Sequence, residues 1–117
     1  MPTPIDHAEL VARLAAGTIV LLDAQAPGWY EREHLPGAHR LDWDDLPGSA
    51  RAAAPDHTTP VAVYCWNTTC TGSEIAAAEL ERLGHTAVHR YIGGKQDWTD
   101  HGGAVVTDDH QANTPSR

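Results

Sequence analysis

Cys65 and Cys70 are the two cysteines of a 117-residue chain, and they stand five positions apart. Cys65 follows the apolar run Val61-Ala62-Val63-Tyr64 and precedes Trp66-Asn67-Thr68-Thr69-Cys70-Thr71-Gly72, after which residues 73–83 read as a helix. One thiol is thereby placed at the mouth of a strand-loop-helix turn. The first N–H groups of a helix lack intrahelical partners and carry partial positive charge, so a thiolate or a bound anion is stabilised there. A thiol so placed is expected to ionise below the roughly 8.5 of a free cysteine and to act as a nucleophile. Asn67, Thr68 and Thr69 are small or polar, which lets loop N–H groups turn toward an anion with no bulky side chain in the way. A Cys packed inert beneath a loop is the default reading of a lone thiol. The position between strand and helix reverses that preference.

Composition narrows what the thiol can serve. A chain of this length is one domain with room for a core, and 41% hydrophobic with 21% charged residues is a globular balance. The formal net charge of −8 argues against nucleic acid as a partner. The longest apolar run within the first strand, residues 19–22, is far short of the roughly 20 residues that span a bilayer, so no membrane partner is expected. No basic segment followed by an apolar one opens the chain, and two closely spaced cysteines are not a secreted disulfide framework; both point to a reducing, cytoplasmic setting. The eight histidines show no metal-ligand spacing, so neither a metal nor any other cofactor is expected. None of the eight Lys and Arg residues falls between Tyr64 and Arg82. An anionic substrate would then be held mainly by backbone N–H groups.

The elements that must position the thiol follow from periodicity. Asp6 and Glu9 form a capping box, Ile5 and Leu10 a hydrophobic staple, Leu10, Val11 and Leu14 an apolar face, and Gly17 ends this first helix. Residues 18–22 are β-rich and apolar throughout, as in a strand buried on both faces of a parallel sheet, with Asp23 at its carboxyl end. A short helix is predicted over residues 27–33 with Trp29 and Tyr30 inward, a turn at Pro36-Gly37, and a short edge strand over 38–41. One helical turn follows around 42–46. Residues 47–60 read as a surface connection, with room for a turn of helix at 49–54. The second central strand is 61–64, and the helix over 73–83 is expected to pack through Ile75, Ala78, Leu80 and Leu83 and to close at Gly84. Residues 86–91 supply a third buried strand, and Gly93-Gly94 turns into a short helix carrying Trp98. Residues 1–102 form the domain, and 103–117 a polar, flexible tail. Strands alternating with helices imply an α/β fold: a small parallel sheet of four to five strands with helices on both faces and the reactive crevice at the strands' carboxyl ends, where Asp23 and Cys65 project.

Four segments in this order resemble the rhodanese family of sulfurtransferases over roughly residues 5–102: Leu21-Leu22-Asp23-Ala24, His34-Leu35-Pro36-Gly37-Ala38, Val63-Tyr64-Cys65, and Gly93-Gly94 with Trp98. The resemblance implies a single-domain rhodanese-like fold. It also implies an enzyme in which Cys65 takes a sulfane sulfur from thiosulfate or a persulfide, becomes a persulfide, and passes the sulfur to cyanide, a cellular thiol or a protein acceptor. Trp66, Asn67, Thr68, Thr69, Cys70 and Thr71 would form the loop that cradles the persulfide. Three positions depart from the family pattern: Gln25 stands where many relatives have Arg, Glu33 replaces the Gly before His34, and Thr68 replaces a Gly three after the nucleophile. A branch of the family carries a second Cys five after the first, with Trp following the nucleophile as Trp66 does. Cys70 then has two readings. It is a resolving thiol that attacks the persulfide, releases sulfide and leaves a Cys65–Cys70 disulfide, or it is a small buried residue at the helix start. Bridging asks for close Cα atoms that spacing does not establish, and the second reading is the simpler.

His34 is expected to orient the Pro36-Gly37 turn, and Asp23 to bond backbone donors or His34; a carboxylate beside a thiolate would raise the thiol's pKa. Asp42, Asp44 and Asp45 read as a solvated acidic face. Trp29, Tyr30, Trp43 and Trp98 read as core or pocket-wall aromatics, and Trp66 as a shield over the persulfide or a rim that meets a partner. Phosphatase chemistry needs Arg six after the Cys, where this chain has Thr71, and arsenate reduction weakens for the same reason. An alternative from another class is a non-catalytic or redox-sensing binding module using Cys65 and Cys70.

Overall fold

The computed structural model describes residues 2–107. The elements run β1 (Thr3–Pro4), α1 (His7–Ala16), β2 (Val20–Asp23), α2 (Trp29–Arg32), β3 (His39–Arg40), α3 (Leu46–Ala53), β4 (Val61–Tyr64), α4 (Gly72–Arg82), β5 (Val88–Tyr91) and α5 (Gly94–Asp100). The five strands pair in parallel, in the order β1-β5-β4-β2-β3. This is the α/β architecture expected.

Side chains alternate across the central strands, so each face of the sheet has its own core. Leu22, Val61 and Val63 pack with Leu46 and Ala50 of α3 and with Ala76, Ala77 and Leu80 of α4. Leu21, Ala62, Tyr64 and Tyr91 pack on the other face with Leu10 of α1, with Trp98 of α5 against them. Asp6 caps α1, its Oδ1 accepting from the Glu9 N–H at 2.9 Å, and Gly17 ends that helix at φ 72°.

Several expectations are corrected. Ile75 is 56% exposed and Ala78 is also exposed; Ala76, Ala77 and Leu80 bury the sheet-facing side of α4. Alanines there let the helix lie close on the sheet, and the larger Ile75 is turned toward the cysteines. Trp29 lies at the surface rather than inward, and Val11 is exposed. Residues 46–53 are a packed helix with Leu46 and Ala50 buried, capped by Asp45 Oδ1 on the Gly48 N–H at 3.1 Å, so the turn of helix expected at 49–54 starts earlier and is longer than expected. Asp42 likewise organises a turn, its Oδ1 accepting from the Asp44 N–H at 2.9 Å, so two of the three aspartates of the acidic face shape backbone. The edge strand β1 was not expected, being two residues with a Pro. The first residues of the supposed tail are also anchored: His34 and Val106 exchange both backbone hydrogen bonds, at 2.9 and 2.8 Å, and Trp98 Nε1 donates to the Ala104 carbonyl at 2.8 Å. The remainder of that tail, residues 108–117, lies outside the described residues.

Candidate active site

Register brings Asp23 and Tyr64 side by side at the carboxyl ends of β2 and β4, with Tyr91 next to Tyr64 on β5. Cys65 is the first residue past that line. The ladder continues one step beyond the strands, the Ala24 N–H donating to the Tyr64 carbonyl at 2.8 Å, so the backbone entering the loop is fixed. The loop is fixed from a second direction by the first turn of α5: Lys95 and Gln96 N–H groups donate to the carbonyls of Cys65 (2.9 Å) and Trp66 (2.8 Å). Gly94 makes this approach possible. Its φ is +65°, and a Cβ there would stand 2.5 Å from the Cys65 carbonyl oxygen. Gly72 plays the same part at the far end of the loop, where a Cβ would stand 2.8 Å from the Ala24 carbonyl oxygen and 3.2 Å from Cys65 Sγ.

Cys65 and Cys70 are joined in a disulfide, with Cα atoms 6.2 Å apart. The simpler expectation for Cys70, a small residue with no bond to Cys65, is therefore corrected: the loop turns back on itself between residues 66 and 70. Asn67 drives that turn. Its Oδ1 accepts from the Thr69 N–H at 3.0 Å and from Thr69 Oγ1 at 2.8 Å, while its carbonyl accepts from the Cys70 N–H at 3.2 Å. Two N–H groups of the expected cradle, those of Thr69 and Cys70, are thus taken by Asn67 in the disulfide form. Thr71 precedes α4 and gives it no side-chain cap, which leaves the helix start to the cysteines' end of the loop. Thr68 is exposed.

The disulfide separates two apolar clefts. One, of about 320 Å³, is walled by Gln25, Ala26, Trp29 and Trp66 as well as both cysteines. The other, of about 340 Å³, runs between Ala26, Pro27 and Trp43 on one side and Gly72 and Ile75 on the other. A larger cleft of about 530 Å³ between the start of α1 and α5 contains no thiol. Trp66 meets Trp29 edge to face at 4.8 Å, so the residue after Cys65 forms the rim of the first cleft.

Asp23 is fully buried and accepts from the Gln25 N–H and from Gln25 Nε2, both at 2.8 Å, and from the Tyr64 hydroxyl. The same hydroxyl accepts from the Leu35 N–H at 3.0 Å, tying the Leu35-Pro36-Gly37 turn to the strand ends. Burial holds the Asp23 carboxyl above the ordinary carboxylate range, the donors from Tyr64 and Gln25 offsetting part of that. Burial and the neighbouring Asp23 charge push the Tyr64 hydroxyl far up, so it stays protonated as a donor. His34 does not bond Asp23. It stacks on Tyr30 at 3.7 Å and its Nδ1–H donates to the Tyr30 carbonyl at 2.7 Å, which ties α2 to the turn. Of the two partners expected for Asp23, the backbone donor is present, as the Gln25 N–H, and His34 is not; His34 bonds the Tyr30 carbonyl instead.

Two residues, Gln25 and Lys95, play parts here that their types and spacing did not announce. Gln25 links Asp23 to the first cleft, and its Oε1 is buried without a partner. Lys95 is the larger omission. It is 4% exposed, its Nζ pairs with Glu33 Oε1 at 3.2 Å and lies 4.1 Å from the centre of the Trp66 ring. The loop has no cation of its own, but α5 brings one behind its rim. Its signal was Gly93-Gly94 directly before it, a turn that aims the start of α5 at the loop. Among the described residues no cluster of three or more His, Cys, Asp or Glu side chains could hold a metal, and no helix is long and apolar enough to cross a membrane.

Comparison with known proteins agrees with this geometry. The family model for the rhodanese-like domain matches residues 6–101. A Bacillus halodurans protein of known structure superposes with a TM-score of 0.80 at 25% identity, covering 91% of this chain and 77% of its own. The thiosulfate sulfurtransferase of Pseudomonas aeruginosa does so at 0.79 and 27%, over 92% of this chain, which spans only 20% of that enzyme. A human single-domain sulfurtransferase shares the fold, with a TM-score of 0.71 at 22% identity over 86% of this chain and 96% of its own. With a family match from the first helix to the end of the last, and a cysteine at the loop after β4, the chain belongs to the rhodanese-like family.

Proposed function

We propose that this protein is a sulfurtransferase that carries a sulfane sulfur as a persulfide on Cys65, in a reducing, cytoplasmic setting. The observation that carries the reading is the placement of the Cys65 sulfur at the end of β4 and beneath the uncapped start of α4, in the wall of two clefts. The Cys65 thiolate attacks the sulfane sulfur of thiosulfate or a persulfide, the donor's S–S bond breaks, and sulfite or a thiolate leaves with the bonding pair. Cyanide, a thiol or a protein nucleophile then takes the outer sulfur and restores the thiolate. Cys65→Ser should abolish sulfur transfer with its fold intact. Wild-type turnover by that variant with every donor tried would refute the assignment.

The donor preferred is a persulfide or another weakly charged species. Between Cys65 and Ser73 there is no Lys or Arg, and Lys95 is already neutralised by Glu33 and covered by Trp66. A dianion entering the loop loses hydration and gains no charge-assisted bond of about 1.5–3 kcal/mol, equivalent to roughly tenfold or more in kcat/KM. Steady-state kinetics should give a lower kcat/KM for thiosulfate than for a persulfide donor, and an equal or higher value contradicts the preference.

The disulfide supports a second reading, a redox-sensing module whose output is the state of the Cys65–Cys70 pair. On that reading the reduced protein takes up no sulfur from any sulfane donor. Persulfide formation on the reduced protein separates the two.

A further inference from the structure

Cys65 and Cys70 differ in how they meet solvent. Cys65 is 3% exposed, whereas Cys70 is partly exposed at the outer end of the loop. Their Cα separation of 6.2 Å lies within the range of about 4.4–6.8 Å over which two cysteines bond without backbone movement. The loop therefore holds the pair at bonding distance, between the Asn67 turn and the first turn of α5.

Building on the reading of Cys65 as the sulfur carrier, we infer a further activity: the domain reduces the sulfane sulfur it accepts to sulfide, with Cys70 as the resolving thiol and a dithiol as electron donor. In the first half of the cycle the Cys70 thiolate attacks Sγ of persulfidated Cys65. The Cys65–Cys70 bond forms as the bond from Cys65 Sγ to the outer sulfur breaks. The outer sulfur leaves with the bonding pair as hydrosulfide, and the proton given up by Cys70 goes to solvent. The two cysteine sulfurs are together oxidised by two electrons, and the outer sulfur is reduced by two.

The second half is set by exposure. An incoming thiolate reaches Cys70 Sγ, the accessible sulfur, and expels Cys65 as a thiolate beneath the start of α4, where a leaving thiolate is favoured. The donor's second thiol then attacks its own sulfur in the mixed disulfide and frees Cys70. The donor departs as a disulfide, so the electrons balance.

Two measurements test the proposal. The reduced, desalted wild type and the Cys70→Ser variant each receive one equivalent of glutathione persulfide, and protein mass and free sulfide are followed after acid quench. The wild type should lose two hydrogens and release about one sulfide per chain; Cys70→Ser should keep one added sulfur. A wild type that holds its persulfide as long as the variant overturns this inference alone. If neither protein gains sulfur or releases sulfide, the carrier reading fails and the inference with it. In the second measurement, the oxidised wild type is treated with glutathione and quenched with an alkylating agent. Peptide mapping should find glutathione on Cys70 and the alkyl group on Cys65, and the reverse pattern overturns the proposed direction of opening.

Discussion

Asp23 shows how a carboxylate one strand away from Cys65 can have its oxygens taken up by its own neighbours. Its oxygens are occupied by the Gln25 backbone and side chain and by the Tyr64 hydroxyl, all within the β2–β4 junction. Because burial raises its pKa in the folded protein, the unfolded chain gives up this proton first, near the ordinary value of about 3.9. Between that value and the folded one the native state binds more protons, so Asp23's contribution to stability is full below the unfolded pKa and falls as pH rises through the folded pKa. Urea unfolding of the wild type and of Asp23→Asn across mildly acidic to neutral pH should show the wild type losing ground to the variant as pH rises. A difference that stays constant, or grows in the wild type's favour, contradicts this. Asp23 and Cys65 were legible from the sequence because each ends an apolar run. Gln25 and Lys95 were not, since their roles depend on which residues a fold brings beside them: Asp23 and Glu33 for the one, Glu33 and Trp66 for the other.

At the scale of elements, the start of α5 is what holds the loop. Two of its N–H groups bond loop carbonyls, and Gly94 admits the contact with a positive φ and no side chain. Gly94→Ala must either move the Cys65 carbonyl or abandon its backbone conformation, and should cost about 1–3 kcal/mol of stability together with sulfur-transfer activity. Chemical denaturation and turnover check both, and a variant that matches the wild type in each contradicts the role. Central strands and the caps of α1 were readable because their patterns are local. The buried face of α4 was not. Choosing the largest apolar side chains picked Ile75, while the sheet is in fact met by Ala76 and Ala77, small enough for close approach. Only the later part of α3 was legible, as a turn of helix at 49–54, because Gly, Ser and Pro at its start suggested a loop; Pro47 lies in its first turn, where a missing N–H costs little.

Across the whole molecule, the boundary of the folded body lies past residue 102, where a polar and aperiodic sequence gave no sign of order. Val106 pairs with His34, and Ala104 with Trp98, so the segment after α5 braces the turn that also carries Leu35 and its bond to Tyr64. Ending the chain after residue 102 removes these three hydrogen bonds and a fourth, from the Gly103 N–H to the Trp98 carbonyl, and should lower stability by about 1–2 kcal/mol. Thermal unfolding of the shortened chain would show it, and an unchanged Tm would contradict it.

The central claim is that Cys65 carries the sulfur. The most direct measurement is peptide-mapped mass spectrometry of the reduced Cys70→Ser variant, which cannot close the disulfide, after brief exposure to a persulfide donor and an alkylating quench. One added sulfur is expected between Cys65 Sγ and the alkyl group. Cys65 alkylated directly at every donor concentration, with no added sulfur, would contradict it.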